Sequence, residues 1–487
     1  MTVATRLSTW AASLRFDALP DRVVALARSQ ILSQLGSIRA GAGHPLGHSL
    51  VKAFGPPLGV DPRQSACVLA GLGSWLNLDD TAYAGHLSNS TVAVPLAFAY
   101  AEGLDGRALL TAVVAANECA ARITAAATLG PLRGHSAVHT HLVGAVGGRL
   151  HCQRASADVW LDAFGLALAM PPWPLMRAFL ASDARLFNTF SPVRTAMDAC
   201  DAAVAGLRGA PDIVEHSDGF LARFASVPLP DAVTEGLGDR WHTETLSFKM
   251  HPGGPGIDAA VDCATALHEE LGDITADDIE EVIVEASVYT LLSGKRVARY
   301  IDGPASPLGA LVLDIPYPVA TALLTGGFTV DDFAEPSVGG PGRWALAGRV
   351  RLAHDPAMTR ELFASEAPFG EAVRQAGPAA EDWIRQFGGD ELVELVGPLG
   401  GAPSDFTGAT KATPARVTVR LTDGRVRTRE RSIPLGAAGP HTRAHHAELM
   451  REKFVELGGP PEVADDAPRL DRMTPADLHA WLEAALS

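Results

Sequence analysis

The run "TVAVPLAFAYAEGLDGRALLTAVVAANECAARITAAATLG", Thr91 to Gly130, limits what this chain can fold into more than any other stretch. Its charged residues are Glu102, Asp105, Arg107, Glu118 and Arg122, and a Gly-Leu-Asp-Gly turn divides it into two helical segments. Both segments are apolar on nearly every side, which places such helices at the centre of a large core or in a membrane. Pro95 and the charges interrupt the stretch, so a central pair of helices in a soluble protein is expected. Glu118 and Arg122 stand four apart and read as a structural ion pair.

The surrounding sequence suits that core. Residues 1–242 read as helical: "LPDRVVALARSQILSQLGSIRAG", "ASADVWLDAFGLALAM" and "FSPVRTAMDACDAAVAGLRG" repeat apolar positions at three- and four-residue spacing. Residues 243–436 change character. "DIEEVIVEAS", "GRVRLAHD" and "ARVTVRLTDGRVRTRERSIPLG" read as strands, the last with a hairpin-type turn at "TDG". "PYPVATALLTG" and "TRELFASEAPFGEAVRQA" read as helices between them, and "GGDELVELVGPLGGAPSDFTGATKATP" as a long loop. Residues 437–487 return to the helical style. The expected fold is mainly α: a large helical domain, 1–242 and 437–487, with an inserted α+β lid domain, 243–436.

Charge narrows the function. The 487 residues carry a formal net charge of −16, which makes nucleic acid and anionic membrane poor partners. Five widely spaced cysteines with no CxxC read as buried thiols of a reducing compartment. The first residues lack the apolar core of a signal peptide, so a cytoplasmic location is expected.

Three clusters can carry chemistry. The first is "SWLNLDDTAYAGH", where Asn77, Asp79, Asp80, Thr81, Tyr83 and His86 interrupt apolar sequence. If helical, it would put Asn77, Asp80 and Thr81 on one face and Asp79, Tyr83 and His86 on another. Asp79 with His86 as a proton-transfer pair and Asp80 as a helix cap fit the stretch equally well. The second is "RGHSAVHTHLVGAVGG", with His135, His139 and His141; without the acid of HExxH it is a weak metal signal, and His135 reads better as an acid/base or substrate-binding group. The third is "FKMHPGGPGID", where Lys249 and His251 precede a Gly-rich turn that suits carboxylate binding but matches no nucleotide fingerprint. Tyr317 sits between two prolines in "LDIPYPVA".

The order of these pieces resembles the MmgE/PrpD family, which includes 2-methylcitrate dehydratase and cis-aconitate decarboxylase. The matching elements are "NLDDT" with His86, "NECAARI", "GHSAVHTHLVGA", "KMHP" and "LDIPY". The resemblance implies a cofactor-free, metal-free site between a helical domain and a lid, usually in a homodimer. It implies removal of a proton next to a carboxylate, followed by loss of water or carbon dioxide, or return of the proton elsewhere. Carried over, the catalytic candidates are Thr81, His86, His135, Lys249 and Tyr317, with Asn77, Asp79, Asp80, Asn188 and His251 binding substrate.

The sequence also departs from the family pattern. Asn77 stands where the motif has its first acid, and Asn188 where a lysine is expected, with Arg185 or Arg194 as alternative cations. Each lost charge-assisted contact removes on the order of 1.5–3 kcal/mol of binding. The expectation is therefore a lyase acting on a substrate less anionic than a tricarboxylate, with an isomerase, epimerase or cyclase on the same scaffold as the alternative.

Overall fold

The computed structural model describes residues 1–130, 136–172, 174–254 and 256–487. Helix Gly106–Ala127 occupies the centre, as its composition requires; Asp105 caps it by accepting from the Ala108 amide at 2.8 Å. Among the described residues it is the one helix long and apolar enough to cross a membrane, and 94% of that apolar window is buried inside the fold. Its partner is two pieces, Ser88–Thr91 and Ala93–Glu102, ended by Gly103 in the left-handed conformation at φ 64°. Glu118 and Arg122 are fully buried and pair at 3.2 Å. Glu118 also accepts from the amides of His242 and Thr243, and Arg122 donates to the carbonyls of Glu235 and Arg240. The pair thus fastens the segment 235–243 to the central helix.

Helices Asp21–Gly43, Pro62–Ser74, Ser136–Cys152 and Phe187–Val204 surround this centre. The chain returns to it at the end: Leu449, Met450 and Phe454 of helix Pro440–Glu456 join the same core as Ile31, Leu35 and Val113. All five cysteines are buried and free.

A second core lies between a four-stranded sheet and two helices, Asp258–Leu271 and Pro316–Thr325. β1 (Asp80–Thr81) and β2 (Ser247–Phe248) form a separate two-stranded ribbon; the strands of this sheet are β3 (Ile279–Ala286), β4 (Val350–His354), β5 (Ala415–Leu421) and β6 (Val426–Arg431), in the order β4-β3-β5-β6. β3 runs parallel to β4 and antiparallel to β5, and β5–β6 is the hairpin expected from "TDG", with Gly424 at φ 89°. Alternation explains the burial: Ala415, Val417, Val419 and Leu421 point inward, while β6 at the edge carries exposed Arg429 and Arg431.

Two sequence expectations are corrected. "GGDELVELV" is not loop but the second half of a kinked helix, Ala380–Val396, broken at Gly388 and Gly389. Leu392 and Val396 bury with Trp383 and Ile384, and that packing outweighs the glycine pair. The stretch Ser74–His86 is not helical either: the helix stops at Ser74, and Asn77 adopts a left-handed φ of 50°.

Candidate active site

Turning at Asn77 lets the chain run extended through β1 (Asp80–Thr81), which pairs antiparallel with β2 (Ser247–Phe248). The Lys249 amide continues the ribbon by donating to the Asp79 carbonyl at 3.0 Å. Two clusters far apart in sequence are thereby joined through backbone.

Extended backbone sends neighbouring side chains to opposite sides, and the two aspartates separate in role. Asp79 is fully buried, and His86 Nδ1 lies 2.9 Å from both its carboxylate oxygens. Asn89 Nδ2 donates to Asp79 Oδ2 at 2.7 Å, and Gln34 Nε2 to Asn89 Oδ1 at 3.1 Å. Gly73 makes room for this chain, since a Cβ there would come within 2.1 Å of Gln34 Nε2. Asp80 Oδ1 accepts from the amides of Leu87 and Ser88, capping helix Ser88–Thr91. Burial, with the Asp79 charge adding to it, raises the Asp80 carboxyl to about 6.

His86 stands on the wall of a cavity of about 150 Å³, partly exposed, its Nδ1 held by Asp79. Asn77, Asn89, His141, Arg185 and Asn188 share that wall. His141 is fully buried, its Nδ1 lies 3.3 Å from Ser90 Oγ, and its Nε2 has no hydrogen-bond partner. Burial, with His86 nearby, lowers it to about 3, so it is a neutral imidazole at ordinary pH. Asn188 Oδ1 is likewise buried without a partner. The remaining wall is largely apolar, with Met176, Phe179, Leu180, Leu292, Val297 and Leu313.

The other sequence candidates lie elsewhere. Thr81 Oγ1 accepts from Lys411 Nζ at 2.6 Å. Lys249 Nζ is buried and bonded to Asp258 Oδ2 at 2.7 Å and to the Gly254 carbonyl at 3.2 Å. His251 Nε2 lies 2.9 Å from Asp262 Oδ1. Tyr317 is placed in the second core: its hydroxyl donates to the Asp332 carbonyl at 2.6 Å and its ring stacks on Trp344. None of these four side chains lines the cavity. His135 lies outside the described residues. Arg194 donates to Gln64 at an exposed position, whereas Arg185 is buried on the cavity wall. Among the described residues no group of three His, Cys, Asp or Glu side chains is placed to hold a metal.

Sequence reading did not assign sites to His141, Asn89, Lys411 and Lys453. His141 had a signal, because side chains two apart on a helix point to different sides. His139 packs on Phe220 and Phe224, and His141 faces the cavity. Lys453 Nζ donates to Ser33 Oγ at 2.8 Å and to the Leu78 carbonyl. Burial lowers Lys453 to about 7 and Lys411 to about 8, with neighbouring carboxylates opposing the shift.

Comparison with family models matches residues 5–231 to the MmgE/PrpD N-terminal domain and residues 251–381 to the MmgE/PrpD C-terminal domain. The chain belongs to the MmgE/PrpD family. Members of this family are generally enzymes, dehydratases or lyases. A search of curated proteins found no match. The mainly α fold with a small sheet is that of an MmgE/PrpD protein, and both segments of the β1–β2 ribbon come from the region that family membership spans or adjoins.

Proposed function

We propose that this MmgE/PrpD protein is a cofactor-independent lyase that removes a proton from carbon next to a carboxylate. The Asp79–His86 pair carries the reading: a buried carboxylate holds Nδ1 of a histidine that stands on a cavity wall. Asp79 fixes the ring and stabilises the imidazolium, which leaves Nε2 to take the proton. In elimination the electron pair released at carbon expels a β-hydroxyl, which leaves as water; in decarboxylation no proton is removed first, the electrons of the bond to the departing carbon dioxide stay on carbon, and the His86 imidazolium protonates it. Departure of hydroxide needs an acid, and His135 is the sequence candidate for that role.

The alternative outcome is isomerisation or cyclisation, in which the proton returns to carbon. One observation favours it: His141, the second described histidine on the wall, is held neutral and cannot donate as an imidazolium. His86 can then return the proton it removed.

The test is to incubate the protein with small carboxylic acids in deuterated water and follow them by NMR. Alkene formation or loss of carbon dioxide supports the lyase, and deuterium at a shifted position supports the isomerase. Absence of both exchange and turnover across α-hydroxy, β-hydroxy and unsaturated acids would overturn the proton-transfer reading.

A further inference from the structure

The cavity holds a buried cation to which no described carboxylate is bonded. Arg185 is 5% exposed and lines the wall. Its Nε donates to the Trp75 carbonyl at 2.8 Å, its Nη2 to Asn77 Oδ1 at 2.8 Å and its Nη1 to the Gly309 carbonyl at 3.5 Å. All three acceptors are neutral, and among the described residues no carboxylate lies within ion-pair distance; the Asp79 charge reaches Arg185 only through space, and His86 and Asn89 already hold that carboxylate. Three of the five N–H groups are engaged, which leaves one on each terminal nitrogen. The guanidinium lies 4.4 Å from the centroid of Phe179, so its flat face is covered by an aromatic ring that also lines the cavity.

A buried charge without a counter-charge is costly, and the cost is relieved when an anion binds. A carboxylate matches the two remaining N–H groups of a guanidinium fork. Asn77 is what keeps this site cationic. An aspartate in its place would sit 2.8 Å from Nη2 and neutralise the arginine. The second arginine on the wall, Arg296, is exposed on helix Val288–Val297, so solvent screens its charge as it does not screen that of Arg185. Beside the polar residues already named, the wall carries an apolar group that includes Phe179, Leu292 and Leu313. A space of about 150 Å³ suits a body of roughly benzene size.

We infer that the substrate is a monocarboxylate with a compact apolar body, its carboxylate anchored by Arg185 and its apolar part packed against the Met176–Leu180 side of the cavity. This rests on the cavity being the site of proton transfer. Asn77 and Asp79 lie two residues apart and hold Arg185 and His86 respectively, so the anchor and the base are set on one stretch of backbone. Asn77 is a specificity-determining residue, because it decides whether the anchor is free.

Binding is measured by calorimetry with unreactive probes: benzoate and hexanoate as monocarboxylates, benzyl alcohol as the uncharged analogue, and citrate as the tricarboxylate. The expected order is benzoate or hexanoate at least tenfold tighter than benzyl alcohol, and at least tenfold tighter than citrate. Arg185→Gln is expected to lose tenfold or more of benzoate affinity. Asn77→Asp, which keeps the shape and suits a positive φ, is expected to do the same without unfolding, and supplies the answer if Arg185→Gln does not fold. Citrate binding more tightly than benzoate would overturn the inference, as would unchanged benzoate affinity in Asn77→Asp. Benzoate binding that depends on Arg185 in a protein inert toward every carbon acid supports the anchor and removes the proton-transfer reading, so the two failures are distinct.

Discussion

The two sides of the segment Asn77–Thr81 treat buried charge in opposite ways. On the cavity side, Arg185 meets only neutral oxygens and His86 is backed by one carboxylate. Behind it, three buried lysines are set among carboxylates: Lys249 bonds Asp258 directly, while Lys411 and Lys453 feel Asp79, Asp80 and Asp258. Matched charge is a scaffold, because removing either member leaves the other buried and unpaired. Unmatched charge beside open space is available to a ligand.

The sharpest way to break this contrast is to alter one side and look for an effect on the other. His86→Asn, whose amide nitrogen can keep a hydrogen bond to Asp79, is expected to lower kcat by about 10²–10⁴-fold, the span of general acid–base catalysis, with little change in melting temperature. Steady-state rates with the first turned-over acid, beside a thermal melt, check both halves. Lys249→Met is expected to behave in reverse by leaving the Asp258 carboxylate unpaired. The cost is about 3–5 kcal/mol in urea unfolding, and Lys249→Met with Asp258→Leu together should recover most of it.

Next in size is the pH dependence of stability. Lys453 and Lys411 lose their protons at about 7 and about 8 in the folded chain, against about 10.4 in solvent. Between these values the unfolded chain holds more protons, so this pair makes stability rise from pH ~7 toward ~10. Asp80 acts lower and with the opposite sign. Its folded value of about 6 exceeds the solvated ~3.9, so its contribution falls as pH climbs from ~4 to ~6. Urea midpoints across pH 4–10 should show both trends, with Asp80→Asn flattening the lower and Lys453→Met the upper. The smallest effect is expected from Tyr317→Phe. It loses one hydrogen bond to the Asp332 carbonyl, about 1 kcal/mol of stability, and changes kcat/KM less than twofold. A large loss of kcat there would instead put Tyr317 in the chemistry.

Much of the scaffold was legible in the sequence because it rests on local pattern. The apolar run around Glu118 could only be central, and the alternation in "ARVTVRL" could only be a strand with one face inward. The Asp79–His86 pair is legible too, although the stretch that carries it is extended and not helical. The separation of Asp79 from Asp80 depends on a left-handed turn at Asn77, which no periodicity signals. The partners of Thr81 and Lys249 were illegible because they are long-range: Lys411 comes from a stretch that read as loop, and its side chain is hidden only once the fold is complete. Arg185 was named as one of two possible cations, but only burial distinguishes it from Arg194.

The bond from Lys411 to Thr81 spans 330 residues, and that from Lys453 to Ser33 spans 420. On a ribosome adding about 5–20 residues per second, the corner holding Asp79 and Asp80 waits tens of seconds for its last counter-charges. Until then its carboxylates have no lysine beside them from the C-terminal part. A chain released short of residue 453 therefore carries every wall residue of the cavity and still lacks the charge that lets Asp79 and Asp80 lie buried together.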